Sequence, residues 1–128
     1  MKFVVRAPLE VQISKNKKFI LNLNHYRNAH YQVLNKAKHL FKEEISEQLT
    51  NIGILNSCRI EYFLYTKTKR VCDVSNVCSV VDKFFCDAFV ELGHLPDDNY
   101  KYLNTVTYRF GGVDFENPRV EIVIWKIS

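Results

Sequence analysis

The sequence predicts an α+β domain, a mixed sheet with two helices packed on it, from three observations. Stretches that alternate apolar and polar residues give way twice to stretches with three- and four-residue apolar spacing, in the order β-α-β-α-β-β. Gly, Pro and Asn/Asp clusters punctuate the changes of period. At 128 residues and 47% apolar composition the chain can bury one core and has little room for a second, so residues 1–128 read as a single domain. A charged fraction of 25% is that of a globular protein and excludes wholesale disorder.

Residues 2–5 and 10–13 read as short strands on either side of Pro8, and Lys15 to Lys18 as a turn. Residues 19–23 form an extended piece leading into Asn24-His25-Tyr26-Arg27. From about Asn28, Ala29, Val33, Ala37, Leu40, Phe41, Ile45 and Leu49 mark one face of an amphipathic helix that ends near Gly53, and Lys36, Lys38, His39 and Lys42 mark the opposite face. Residues 58–66 alternate as a strand dense in aromatics, and Lys67-Thr68-Lys69-Arg70 follows as a basic loop. Asp73-Val74-Ser75-Asn76 supplies N-cap residues for a second helix, which runs to about Leu92 and is stopped by Gly93 and Pro96. The remainder, 102–110 and 119–127, reads as a β-hairpin across a loop holding Gly111-Gly112 and Pro118.

Eighteen Lys and Arg against fourteen Asp and Glu leave a charge of +4, which permits nucleic-acid binding without requiring it. No apolar run approaches the ~20 residues of a membrane span, and the Met1–Arg6 start regains a charge too soon for a secretory leader. A soluble protein retained in the cytoplasm is the expectation. Cys58, Cys72, Cys78 and Cys86 form no Cys-x-x-Cys pair and have no histidine at finger spacing, so they read as reduced thiols rather than a zinc site. His25, His30, His39 and His94 form no HNH pattern, His25 alone being a candidate neighbour of phosphate. Gly111-Gly112 lacks the strand-turn-helix context of a phosphate loop. Tyr62, Phe63 and Tyr65 read as core or dimer packing ahead of base stacking.

The informative stretch runs from Asp73 to Asp98. Projected at about 100° per residue, Val77, Val81, Phe84, Phe85, Ala88 and Leu92 form the buried face of the second helix. Asn76, Ser79, Lys83 and Asp87 share a nearly opposite stripe, with Asp82 at its border. Carboxylates from the loop before the helix, its flank and the Asp97-Asp98 turn after it can converge on a divalent cation, with Lys83 beside them for phosphate or a water. The plainer alternative is an N-cap at Asp73, an exposed Lys83–Asp87 pair and a polar turn after Pro96.

Lys69-Arg70-Val71-Cys72-Asp73-Val74-Ser75-Asn76, then Val81-Asp82-Lys83-Phe84-Phe85-Cys86-Asp87-Ala88, then Gly93-His94-Leu95-Pro96-Asp97-Asp98, resembles the RusA family of Holliday junction resolvases, in its phage and prophage branch. That family shows a basic loop, Asp-x-Asp-Asn, a helix carrying Lys and Asp-Ala-Leu, then Gly and an Asp-Asp pair. The motif covers about a quarter of the chain, with weaker similarity at Asn24-His25-Tyr26-Arg27 and at Arg119-Val120-Glu121-Ile122. Two departures stand out: Ser75 replaces the second Asp of Asp-x-Asp-Asn, and about four residues, roughly one helical turn, are added between Asn76 and Asp87. Lys83 thereby matches the family's helix lysine, and Asp82 becomes a stand-in for the lost carboxylate. On an ideal helix Asp82 lies about 20° round from Ser75 and nearly two turns further along.

The resemblance implies a RusA-like fold and a homodimeric, Mg²⁺-dependent endonuclease, with Mn²⁺ as a substitute, that resolves four-way DNA junctions by paired symmetric nicks in phage recombination within a bacterial cytoplasm. Asp73, Asp82 and Asp98 are its expected principal metal carboxylates, with Asp97 in second rank and Lys83 acting on phosphate or the attacking water. Asn76 orients a ligand, and Asn24, Arg27, Lys67, Lys69 and Arg70 complete the DNA-binding set. The dimer interface is expected in the N-terminal β-structure or the strand at Cys58 to Thr66. A non-catalytic binder of branched DNA, its site weakened at Ser75, is the alternative, and a small interaction protein unrelated to DNA is a third.

Overall fold

Where the apolar period changes, the chain changes element. The computed structural model, which describes residues 1–128, runs β1 (Lys2–Ala7), β2 (Glu10–Ser14), β3 (Lys17–Ile20), α1 (Leu23–Asn28), α2 (Tyr31–Leu49), β4 (Cys58–Thr66), α3 (Val74–Glu91), β5 (Leu103–Val113) and β6 (Arg119–Lys126). The α+β class and the mixed sheet are as expected, but there are three helices. Asn22 accepts the His25 N–H on its side chain and so starts α1 inside the segment expected to be extended. Ala29 then leaves the helical region, and His30 caps the start of α2. The expected turn at Lys15–Lys18 is tighter, because Lys17 and Lys18 already belong to β3.

The main sheet has the order β1-β6-β4-β5, and β2 and β3 form a separate two-stranded sheet. β6 runs antiparallel to both β1 and β4, whereas β5 runs parallel to β4. The expected hairpin between β5 and β6 is therefore not made. Both strands pair with β4, one along each edge, and the link between them passes the end of β4, where the Asp114 N–H donates to the Thr66 carbonyl at 2.7 Å. The physical reason is the crossover: α3 carries the chain from the end of β4 back to its start, so the next strand leaves in the same direction.

One sheet face packs into the core, and the other is half-buried along β4 and buries Val123 of β6. Cys58, Ile60, Tyr62 and Leu64 of β4, with Val120, Ile122 and Ile124 of β6 and Val5 of β1, point into a single core against α2 and α3. α2 contributes Ala37, Phe41, Ile45 and Leu49, the residues its spacing predicts. α3 buries Val81, Phe84, Phe85 and Ala88 as expected, and Cys78, Val80, Cys86 and Phe89 besides, while Leu92 lies exposed beyond its end. Phe84 ties the layers together, with ring centroids 5.7 Å from Phe19 of β3 and 5.6 Å from Phe41 of α2. No helix is long and apolar enough to cross a membrane.

Candidate functional site

α3 organises the predicted site and also separates its members. Asp73 stands at the N-cap, exposed, with only the Ser75 hydroxyl near it at 3.5 Å. Asp82 lies nine residues on, about 13 Å along the axis. Asp98 lines a cleft of about 150 Å³ with Cys86, Asp87, Glu91 and Asp97, which puts it about 20 Å along the helix from Asp73. Asp73 and Asp98 cannot share an ion across that span.

Asp82 is on the sheet side of α3. Its Oδ1 accepts from the Tyr62 hydroxyl at 2.7 Å and the Cys86 thiol at 3.2 Å, and its Oδ2 accepts from the Tyr108 hydroxyl at 2.6 Å. Register explains the pair: Tyr62 of β4 and Tyr108 of β5 are direct neighbours across the parallel ladder and point to the same face. Three donors occupy most of the carboxylate's roughly four lone-pair positions. Burial, reinforced by the Asp82 charge, drives the Tyr62, Tyr108 and Cys86 pKa values upward, so all three remain donors. Tyr62, Tyr108 and Cys86 were not among the expected site residues, although Cys86 sits one helical turn from Asp82 and that spacing was available to see.

The Asp97–Asp98 turn is built by its own side chains. Asp97 accepts the Asp98 N–H at 2.8 Å and the Asn99 amide at 2.7 Å, and these bonds hold its carboxyl below the usual range. Asp98 is shifted the other way, first by partial burial and then by the neighbouring Asp97 and Asp87. Asp98 is thus the less engaged and more strained acid of the pair.

Other expected members have other partners. Asp87 pairs with Lys38 of α2 at 3.2 Å rather than with Lys83, and Glu91 pairs with Lys42 at 2.9 Å, so half of the basic face of α2 is an inter-helix seam. Lys83 lies over the Tyr26 ring of α1 at 5.9 Å. Asn76 accepts the Leu23 N–H at 3.1 Å, a cap on α1 supplied from α3, which makes it a structural tie. Asn24, Arg27, Lys67, Lys69 and Arg70 are exposed, and none of the four cations makes an ion pair. Lys67 lies over Phe115 at 5.8 Å. β4 is paired along both edges, so of the two expected dimer surfaces only the N-terminal β-structure keeps free strand edges, on β1 and on the β2–β3 pair.

Tested against Mg²⁺, the set Asp73, Asp82 and Asp98 does not fit one ion, and no three His, Cys, Asp or Glu side chains form a group able to hold a metal. Asp98 with one neighbouring carboxylate meets the lesser need of an ion that keeps its waters and takes substrate phosphate as a ligand. No protein-family model matches the chain, and no curated protein matches it.

Proposed function

We propose that the protein acts on branched DNA as a homodimeric, structure-selective endonuclease that resolves four-way junctions by paired nicks. Beside the ordered motif from Lys69 to Asp98, the observation that carries this is the cleft that gathers Asp87, Asp97 and Asp98, where partial burial first, and then the neighbouring acids, raise the Asp98 pKa. Acids held close at a cost to one of them suit a cation. Mg²⁺ bound by Asp98 with Asp97 or Asp87 would supply an activated water and neutralise charge on the scissile phosphodiester.

The chain's own residues do the rest. Asp97, fixed by the Asp98 N–H and the Asn99 amide, sets the turn that aims Asp98. Lys67, Lys69 and Arg70, unpaired on their loop, attract the backbone without reading sequence, and Arg27 and Lys83 extend that basic surface along α1 and α3. Asp82 acts as a positioning residue, locking α3 to β4 and β5 through the two tyrosines. A two-fold dimer would present two such sites to a junction with its own approximate two-fold symmetry.

The distance of Asp73 from Asp98 and the serine at position 75 favour a second reading, a non-catalytic binder of the same junctions. One assay separates the two. A labelled four-way junction is incubated with the protein in Mg²⁺ and in EDTA. Metal-dependent symmetric nicks establish the enzyme, binding without nicks establishes the binder, and neither result removes both. Sedimentation at micromolar concentration tests the dimer: a single species near the 15.1 kDa of one chain defeats it.

A further inference from the structure

We propose that the cleft between the β2–β3 hairpin, α1 and the start of α2 holds a phosphate group of a nucleic-acid backbone; the proposal rests on the branched-DNA reading. The cleft encloses about 470 Å³, and its polar lining is Lys17, Lys18, Asn24, His25, Asn28 and His30, with no carboxylate among them. His25 Nδ1 accepts the Ile20 N–H at 3.3 Å, and His30 Nδ1 accepts the Gln32 N–H at 3.3 Å. A ring nitrogen that accepts carries its lone pair there, so in each neutral imidazole the proton sits on Nε2 and that nitrogen is a donor. Asn24 Oδ1 accepts the Asn28 amide at 2.9 Å, which leaves the Asn24 NH₂ as its free polar end. Lys17 makes no ion pair, and Lys18 has Glu10 alone, at 3.5 Å with both side chains half exposed.

The lining is therefore richer in donors than in free acceptors, the Asn28 Oδ1 being an acceptor without a partner. It suits an acceptor-only anion, and the two non-bridging oxygens of a phosphodiester are such acceptors. A metal cation is the wrong occupant, because both Nδ1 lone pairs are engaged and no acid is present. The frame is rigid. Phe19, buried against Phe84, fastens the hairpin to the core, and the Gln12 amide donates to the Lys17 carbonyl at 3.2 Å.

The test uses the full chain with two probes, a labelled four-way junction over a range of salt concentrations and inorganic phosphate. Junction affinity is read together with the NMR signals of the His25 and His30 imidazoles. Lys17→Glu is the variant, because that side chain is exposed and unpaired, and Lys126→Glu, outside the cleft, matches its change of charge. Junction DNA should move both imidazole signals saturably. Lys17→Glu should weaken binding about tenfold or more and lower the salt slope by about one, against about twofold or less for Lys126→Glu. Junction binding unchanged in Lys17→Glu overturns the cleft and leaves the branched-DNA reading standing. A native chain that binds no junction, yet whose imidazole signals move with inorganic phosphate, overturns the nucleic-acid assignment and identifies a site for free phosphate instead.

Discussion

At the C-terminal end of α3, Asp87, Glu91, Asp97 and Asp98 line a cleft of about 150 Å³; between the hairpin and α1, lysines, histidines and amides line one of about 470 Å³. The acidic cleft is partly neutralised from within, since Lys38 and Lys42 of α2 take up Asp87 and Glu91. The basic cleft has no acid in its wall and holds Lys17 without a counterion. Asp82 is a third case, a carboxylate with no cation beside it and three hydrogen-bond donors instead. The contrast teaches that an acid is not a site by being an acid. What distinguishes a candidate site is like charge left without an internal partner, as at Asp98 or Lys17.

Phe84 joins the two regions, and removing it should have the largest effect. Phe84→Ala deletes a ring that contacts β3, α1 and α2, at about 3–5 kcal/mol by denaturant titration. The basic cleft should loosen with it, seen as broadened His25 and His30 signals, while the Asp97–Asp98 turn, held by its own bonds, keeps its chemical shifts. Asp98→Asn sharpens the contrast from the acidic side. Single-turnover junction cleavage should fall about 10²–10³-fold while junction binding holds or tightens. Cleavage at the native rate would move the metal away from this cleft.

Asp82 should answer in stability more than in chemistry. Asp82→Ala leaves the fully buried Tyr62 hydroxyl without its carboxylate, at about 1–3 kcal/mol, and adding Tyr62→Phe should return part of the loss. If Asp82→Asn instead abolishes cleavage with the melting temperature unchanged, Asp82 belongs to the catalytic set.

The smallest effect is a pair of opposite pH dependences. Asp98 has a raised pKa in the folded chain, so the folded state binds the proton more tightly, and stability is lost as pH rises from the unfolded value through the folded one. Asp98→Asn should therefore be slightly more stable than the native chain at neutral pH, with the gain fading in acid. Asp97 is lowered, so its contribution is present above the unfolded value and lost as pH falls through the folded one. Asp97→Asn should be slightly less stable at neutral pH, and that deficit should also fade in acid. Thermal melts of both variants from pH 3 to 7 check the two signs.

Much of the fold was legible locally. The spacing of Ala37, Phe41, Ile45 and Leu49 marked the buried stripe of α2, and the alternation from Cys58 marked the buried face of β4. α1 was missed because its cap is Asn22 and its second tie is Asn76 from another helix, so a six-residue helix stands where propensity alone would not sustain one. The acids of the candidate site were legible as residues but not as a group.

Elements follow from the sequence because period two and period 3.6 are properties of adjacent residues, and the Gly93 stop acts within one turn, whereas Asp73 begins α3 without a side-chain capping bond. The sequence by itself therefore determined the α+β class, the long helices, the strands other than β3 and the run of acids from Asp73 to Asp98. Which strand lies beside which was decided in three dimensions: β5 and β6 look like a hairpin in order, yet both pair with β4 because α3 reverses the chain between β4 and β5. The same crossover brought Tyr62 and Tyr108 together under Asp82, set Asp98 beside Cys86 and left Asp73 at the far end of the helix. Those meetings depend on residues 20 to 26 apart or more coming into contact, and such contacts are chosen by packing a whole core rather than by any local preference.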